Sequence, residues 1–443
     1  MMRNEMVVEQ TRQLRTTGTC AEVELLLSCA RTQANPEVSQ RIREAAQKEI
    51  DWVQFIRLAL LHETLPLTHR NLHRICPDIV PSGVLEPLQA RHEAYAMEGR
   101  LLAKELVGIL IFLESEGIVA VPYKGPALAI RLYGDLSLRE FGDLDIVVCE
   151  RDVLRARHLL IDRGYLPERV DTGELNQFLR EHHEMLFYRI DGAVRLDLHW
   201  RFTSRSGCIP GDPERFLQHL ETILIAGKEM RSLRLETYLL VLSVHAAKHQ
   251  WVQLKLIGDI AEVMAVPDLD WHYVAQEADE LGLKRVLGTG LLLAQGLLGA
   301  AMPAKLAQDL KIDRTARMLA AQACTRLFEE PGERWGLKGG MASQIKLRER
   351  LRDKMKMFLR YFFHKLKPNE LDHWFLPMPS ALSVAYYLVR PVRLALERMS
   401  RTEHFHATPF PASGRSRVAD AKRTATHQTA ISAAEGATQI QAK

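Results

Sequence analysis

From about residue 20 to residue 117 apolar residues recur at three- and four-residue spacing with few β-branched runs, which predicts helices. The longest of these segments, VLEPLQARHEAYAMEGRLLAKELVGILIFLESEG (84–117), predicts one or two helices ending at Gly117. The period then changes. IVAVPY (118–123) reads as a short β-branched strand and KGPALAIRLYG (124–134) as a helix with Pro126 near its first turn. DLDIVV (143–148) reads as a second strand, and RDVLRARHLLIDR (151–163) as a helix closed by Gly164. Next, HEMLFYRI (183–190) and AVRLDLHW (193–200) alternate on either side of Asp191-Gly192, the strongest short-range hairpin signal a sequence offers. From about 213 to 400 the helical period returns, through RFLQHLETILIAG, LETYLLVLSVHAAKHQWVQLKLIGDIAEVMA and VLGTGLLLAQGLLG.

These patterns predict an α+β fold, mostly helical overall, in which a small mixed β-sheet core is inserted between N-terminal and C-terminal helical regions. The expected divisions are 1–117 (helical), 118–212 (the sheet-bearing core), 213–400 (helical) and 401–443 (a tail). That tail is rich in Ala, Thr and Ser without a sustained apolar period, and is expected to be disordered. A chain of 443 residues exceeds what one core usually supports, in keeping with several domains.

Composition adds mainly exclusions. A formal charge of +4 is small for this length and gives no nucleic-acid signal by itself. Six cysteines are scattered without a CxxC pair, so they read as reduced thiols. No segment reaches about 18 apolar residues without a charge, so no transmembrane segment is expected. MMRNEMVVEQTRQLR carries charge where a signal peptide needs an apolar run, and the expected location is cytoplasmic.

The candidate chemistry starts at FGDLDIVV (141–148). Aspartate is disfavoured in strands and costly to bury unpaired, yet Asp143 and Asp145 stand at the head of an apolar run. Strand alternation puts both on one face, roughly 6–7 Å apart. They are either a solvated turn or part of a metal grip, and a grip needs a third carboxylate from a neighbouring strand. Asp197 is the candidate, sharing a face with Arg195 and His199 in VRLDLHW. Three convergent carboxylates suit two Mg²⁺ ions in phosphoryl or nucleotidyl transfer. Lys124-Gly125, between a strand and a helix, offers a cation and backbone N–H groups for phosphate, and Arg139 offers a second cation. The bland reading keeps Gly125 as a turn glycine and Lys124 as a solvated charge.

VPYKGPALAIRLYGDLSLREFGDLDIVV (121–148) followed by RLDLHW (195–200) resembles the bacterial nucleotidyltransferase-like family of the polymerase-β superfold. The features carrying the resemblance are Lys124, Gly125, Leu128, Tyr133, Arg139, Asp143, Asp145, and Asp197 with His199 and Trp200. It continues into HAAKHQWVQLKLIGDIAEV (245–263), with His245, His249 and Asp259. The resemblance implies magnesium-dependent transfer of a nucleoside monophosphate from an NTP to a small-molecule or macromolecular acceptor. It also implies Asp143, Asp145 and Asp197 as catalytic and metal-binding residues, and Lys124, Gly125 and Arg139 as nucleotide-binding residues. One departure is plain: the wider superfamily has Gly-Ser at the start of the first helix, whereas this chain has Lys124-Gly125-Pro126. A non-catalytic nucleotide-binding or regulatory protein of the same fold is the alternative.

Two features stand outside the core motif. His245 and His249 are four apart on a helix, but Ala246 occupies the place of the glutamate that a zinc protease needs. With His199 and Asp259 they are either acceptor-side residues or satisfied polar groups between helices. The stretch 344–367 is basic and amphipathic, so 346–365 suits contact with an anionic surface or packing on its own protein with a solvated basic side.

Overall fold

In DLDIVV, Leu144 and Ile146 project to one side of their strand and Asp145 and Val147 to the other, and this alternation sets which face of the sheet is core. The computed structural model describes residues 20–168, 175–203, 213–329, 341–366, 370–378 and 385–401. The tail from 402 onward, with its expected disorder, lies outside the described residues. Chain contacts divide the described residues into two units, one over 20–329 and the other over 341–401.

The first unit carries a five-stranded mixed sheet in a mostly helical surround. After a series of shorter helices comes α1 (Ser82–Ser115), then β1 (Val121–Pro122), α2 (Gly125–Leu128) with a π-helical turn over Ala129–Tyr133, and β2 (Leu144–Val147). A helix at Val153–Asp162 leads to β3 (Tyr165–Pro167), β4 (Glu184–Arg189) and β5 (Arg195–His199). The strand order is β1-β2-β5-β4-β3. Every neighbouring pair is antiparallel except β2 and β5, which run parallel with Asp145 opposite Asp197 and Val147 opposite His199.

One face of the sheet is the core. Leu144 and Ile146 of β2, Leu196 and Leu198 of β5 and Phe187 of β4 are fully buried together with Ile109 and Leu113 of α1 and Val153 and Leu160 of the following helix. Burying a Leu or Ile side chain contributes about 1.5–3 kcal/mol, so the alternation in DLDIVV and RLDLHW fixes the face by weight of apolar area. The polar residues of the same two strands are therefore driven to the opposite face. Gly99 of α1 makes room for the turn before β2: a Cβ there would stand 3.2 Å from the Phe141 ring.

The strand expected over 118–123 pairs over two residues only, and the helix expected over 124–134 is a single α-turn passing into a π-turn. The region from 213 departs further from its helical reading. LETILI and KEMRSL form a hairpin, β6 (Leu220–Ile225) and β7 (Lys228–Leu233), turning at Ala226-Gly227 with positive φ at both residues. Ile223 and Ile225 of β6 and Met230 and Ser232 of β7 are buried at a period of two, with Leu233 buried beside them, where the helical reading expects a period of three to four. Beyond it come α3 (Leu235–Lys248) and α4 (Leu254–Met264), the expected helical pair.

In the second unit the basic stretch is helical over Met341–Leu347 and Leu351–Leu366. Leu351, Met355, Phe358 and Phe362 form an exposed stripe on the latter helix. The carboxylate of Asp372, fully buried, accepts from Arg390 and Arg393 at 2.7 Å each. Among the described residues no helix is long and apolar enough to cross a membrane, and Cys20, Cys29, Cys76, Cys149 and Cys324 are free thiols.

Candidate functional site

The parallel pairing of β2 with β5 is what assembles the site. It sets Asp145 beside Asp197 on the face opposite the core, with His199 two residues further along the same side of β5. Asp145 is 2 % exposed, Asp197 8 % and His199 1 %. Each offers one ligand atom to a group whose atoms all lie within 4.8 Å of one another. Two carboxylate oxygens and one imidazole nitrogen form a donor set that fits a divalent cation.

Asp145 is the most heavily engaged of the three. Its Oδ1 receives the Lys124 ammonium at 2.7 Å and the His199 Nε2 at 3.0 Å. Burial opposes ionisation, but Lys124 and His199 outweigh it and hold the carboxyl well below the usual carboxylate range. Asp197 is affected the other way: burial, with the charges of Asp145 and Asp143 beside it, pushes its carboxyl up to about 6 despite Arg195. Arg195 reaches Asp197 Oδ2 at 3.1 Å and stands 3.9 Å from Asp143. Two neighbouring carboxyls thus have opposite electrostatics, the arrangement that separates a permanent anion from a proton acceptor.

Lys124 is placed by the turn it opens. Gly125 has φ +58°, and a Cβ there would lie 3.0 Å from the Asp143 carbonyl oxygen, so only glycine lets this turn close against the start of β2. Burial alone would lower the Lys124 ammonium, but Asp145 and Asp143 raise it, so it remains charged. Because α2 is only one turn long, the positive charge at this turn rests on Lys124 more than on a helix dipole.

His199 sits in a polar cage. Its Nδ1 is 3.3 Å from Glu184 Oε2 and the Tyr123 hydroxyl lies 3.2 Å from the ring nitrogens. Glu184 also faces His183 Nε2 at 3.3 Å, which in turn meets Lys248 Nζ at 3.3 Å at the end of α3. Burial and nearby cations lower His183 and His249 to about 4 and hold His245 well below its ordinary value, so this rim consists of neutral imidazoles at neutral pH. His245 lies within electrostatic reach of both Lys124 and Asp145.

The structure therefore brings together Lys124, Gly125, Asp145, Asp197 and His199, with His245 and His249 at the rim. Asp143 precedes β2, is half-buried, and does not enter the close ligand group, though its charge acts on Lys124 and Asp197. Arg139 is placed elsewhere. Its guanidinium is buried and forks onto Asp259 of α4 at 2.8 Å through both Nε and Nη2, while the Tyr133 hydroxyl donates to the same carboxylate at 2.8 Å. In this geometry the guanidinium fork of Arg139 is filled by a buried carboxylate. Asp259 likewise holds Arg139 and Tyr133 rather than standing at the carboxylate cluster.

Glu184, Tyr123 and His183 were not singled out from the sequence. Glu184 was within reach of it: counting outward equally on both sides of Asp191-Gly192 pairs Glu184 with His199, the register observed. Tyr123 and His183 carry no comparable signal.

A mixed sheet with aspartates on adjacent parallel strands, a lysine-glycine turn at their head and helices around it forms a site with donors for a divalent cation. The family of uncharacterised nucleotidyltransferases matches residues 48–299, more than half of the chain, and the protein belongs to it. No curated protein and no solved structure matches the chain.

Proposed function

We propose that the protein is a metal-dependent nucleotidyltransferase that moves a nucleoside monophosphate from an NTP to an acceptor hydroxyl or phosphate. The observation that carries this reading is the parallel pairing of Asp145 with Asp197 beside the Lys124-Gly125 turn. In the reaction an acceptor oxygen bonds to the α-phosphorus, the bond from that phosphorus to the bridging oxygen of the β-phosphate breaks, and pyrophosphate leaves. Divalent cations, Mg²⁺ bound to the NTP among them, would supply neutralisation of the pyrophosphate and a lowered pKa for the acceptor hydroxyl.

The chain's own residues divide the remaining work. Asp145, held ionised, and Asp197 would hold the resident cation, and Asp143 would face the ion that arrives with the nucleotide. Asp197, on the strand beside Asp145, would also assist deprotonation of the acceptor hydroxyl. Lys124 would leave Asp145 for the triphosphate, and the Gly125 turn lets phosphate approach the backbone closely. The neutral imidazoles of His245 and His249 would border the acceptor side.

The test is incubation of the full chain with each α-labelled NTP and fractionated cell extract, followed by separation of labelled products. Wild type is expected to label an acceptor and release pyrophosphate, and Asp145→Asn with Asp197→Asn to do neither. Absence of transfer, combined with no metal-dependent thermal shift by any NTP, overturns the reading.

A further inference from the structure

The imidazole of His199 has a carboxylate at each ring nitrogen: Asp145 Oδ1 at 3.0 Å from Nε2 and Glu184 Oε2 at 3.3 Å from Nδ1. The ring is nearly free of solvent, with its side chain 2 % exposed. Glu184 owes its position to the ladder, since it is the residue directly opposite His199 across β4 and β5. Asp145 needs no second cation from the histidine, because Lys124 already neutralises it at 2.7 Å. The arrangement is therefore more than an ion pair requires.

Metal chemistry explains it. Two donors at right angles on one ion, each about 2.1 Å from it, stand about 3 Å apart. The observed 3.0 Å between His199 Nε2 and Asp145 Oδ1 matches such an edge, and Asp197 closes the group within 4.8 Å. A histidine that ligates a metal through one nitrogen characteristically gives its other N–H to a carboxylate, which fixes tautomer and ring orientation. Glu184 holds that place. Mg²⁺ takes oxygen ligands almost exclusively, whereas imidazole suits first-row transition ions.

We infer that the resident ion at Asp145, Asp197 and His199 is a divalent first-row transition metal, bound through His199 Nε2 with Glu184 as the positioning residue. This rests on the nucleotidyltransferase reading, in which Mg²⁺ accompanies the nucleotide and the protein keeps its own ion. Lys124 is the group that must move, and its long stem, with the side chain 15 % exposed, allows the ammonium to swing from Oδ1 toward phosphate.

The experiment titrates Mn²⁺ into the full-length protein without nucleotide, reading free Mn²⁺ by electron paramagnetic resonance with Mg²⁺ as competitor. Mn²⁺ is the weakest of the series for nitrogen and so a stringent probe. Wild type is expected to bind Mn²⁺ in preference to Mg²⁺ and to show ¹⁴N coupling in the bound-ion spectrum. Glu184→Gln should keep the coupling but weaken Mn²⁺ binding by about 10–100-fold. His199→Asp, an all-oxygen site, should lose the coupling and narrow the preference at least tenfold, with circular dichroism confirming the fold. An unchanged Mn²⁺ to Mg²⁺ ratio in His199→Asp, or no ¹⁴N coupling in wild type, overturns the inference and leaves nucleotidyl transfer standing. Failure of wild type to bind any divalent ion, with or without a non-hydrolysable NTP, overturns both.

Discussion

The ammonium of Lys124 lies 2.7 Å from Oδ1 of Asp145, on the oxygen that also faces His199. A cation from the chain thus stands where a metal ion would draw its charge compensation. The two would compete for one carboxylate, and substitution of the lysine separates their effects.

Lys124→Met leaves Asp145 buried without its counterion. A hydrogen bond to a charged group contributes about 1.5–3 kcal/mol, so the metal-free variant should lose stability of that order. Divalent ions should restore it, stabilising the variant more than wild type, while triphosphate affinity falls about tenfold or more. Thermal shift with metal alone and with metal plus NTP reads both effects, and equal metal stabilisation of variant and wild type would contradict the competition.

Asp197 gives a pH dependence of defined sign. Its folded pKa, about 6, is above the ordinary aspartate value, so the folded state keeps a proton that the unfolded chain has already released between about pH 4 and 6. The contribution of the neutral carboxyl is complete below about pH 4 and is lost as pH rises through 6. Asp145 has the opposite sign: its folded pKa is depressed, and its contribution is lost only as pH falls below the usual carboxylate range. Asp197→Asn, without divalent ions, should therefore be more stable than wild type at pH 7, on the order of 1–3 kcal/mol, with a flatter stability profile between pH 4 and 6. Urea unfolding across that range measures it.

Gly125→Ala is expected to cost about 1–3 kcal/mol, since alanine is strained at positive φ and its Cβ would press on the Asp143 carbonyl 3.0 Å away. The turn can relax only by moving Lys124 or the start of β2. A loss of stability together with weaker metal binding is the expected pair of results, and unchanged metal affinity would show that the turn does not position the carboxylates.

Arg139 and Asp259 should behave as a structural pair. Arg139→Met leaves a buried carboxylate uncompensated and should cost about 3–5 kcal/mol, whereas Arg139→Met with Asp259→Leu should recover much of it. In the folded protein neither variant should change NTP affinity. A selective loss of NTP binding in Arg139→Met at unchanged stability would return Arg139 to the nucleotide.

Much of this was legible in the chain. The alternation in DLDIVV and RLDLHW fixed which face is apolar, and Asp191-Gly192 marked the β4–β5 turn, because side-chain period and turn chemistry are local properties. The β6–β7 hairpin is less legible although its alternation is present, because Ala226-Gly227 is a weaker turn signal than Asp-Gly and the flanking segments are helical.

What the sequence by itself determined is the set of polar residues barred from the core: Asp145, Asp197 and His199 cannot share a face with Leu144, Ile146, Leu196 and Leu198. Which of them meet was decided only by tertiary structure. The parallel β2–β5 pairing joins segments far apart in the chain, and nothing local dictates which strands become neighbours. The same holds for Arg139, whose charge was visible but whose partner Asp259 arrives from a distant helix. A buried charge takes whichever opposite charge the fold delivers, and that is a property of packing rather than of spacing.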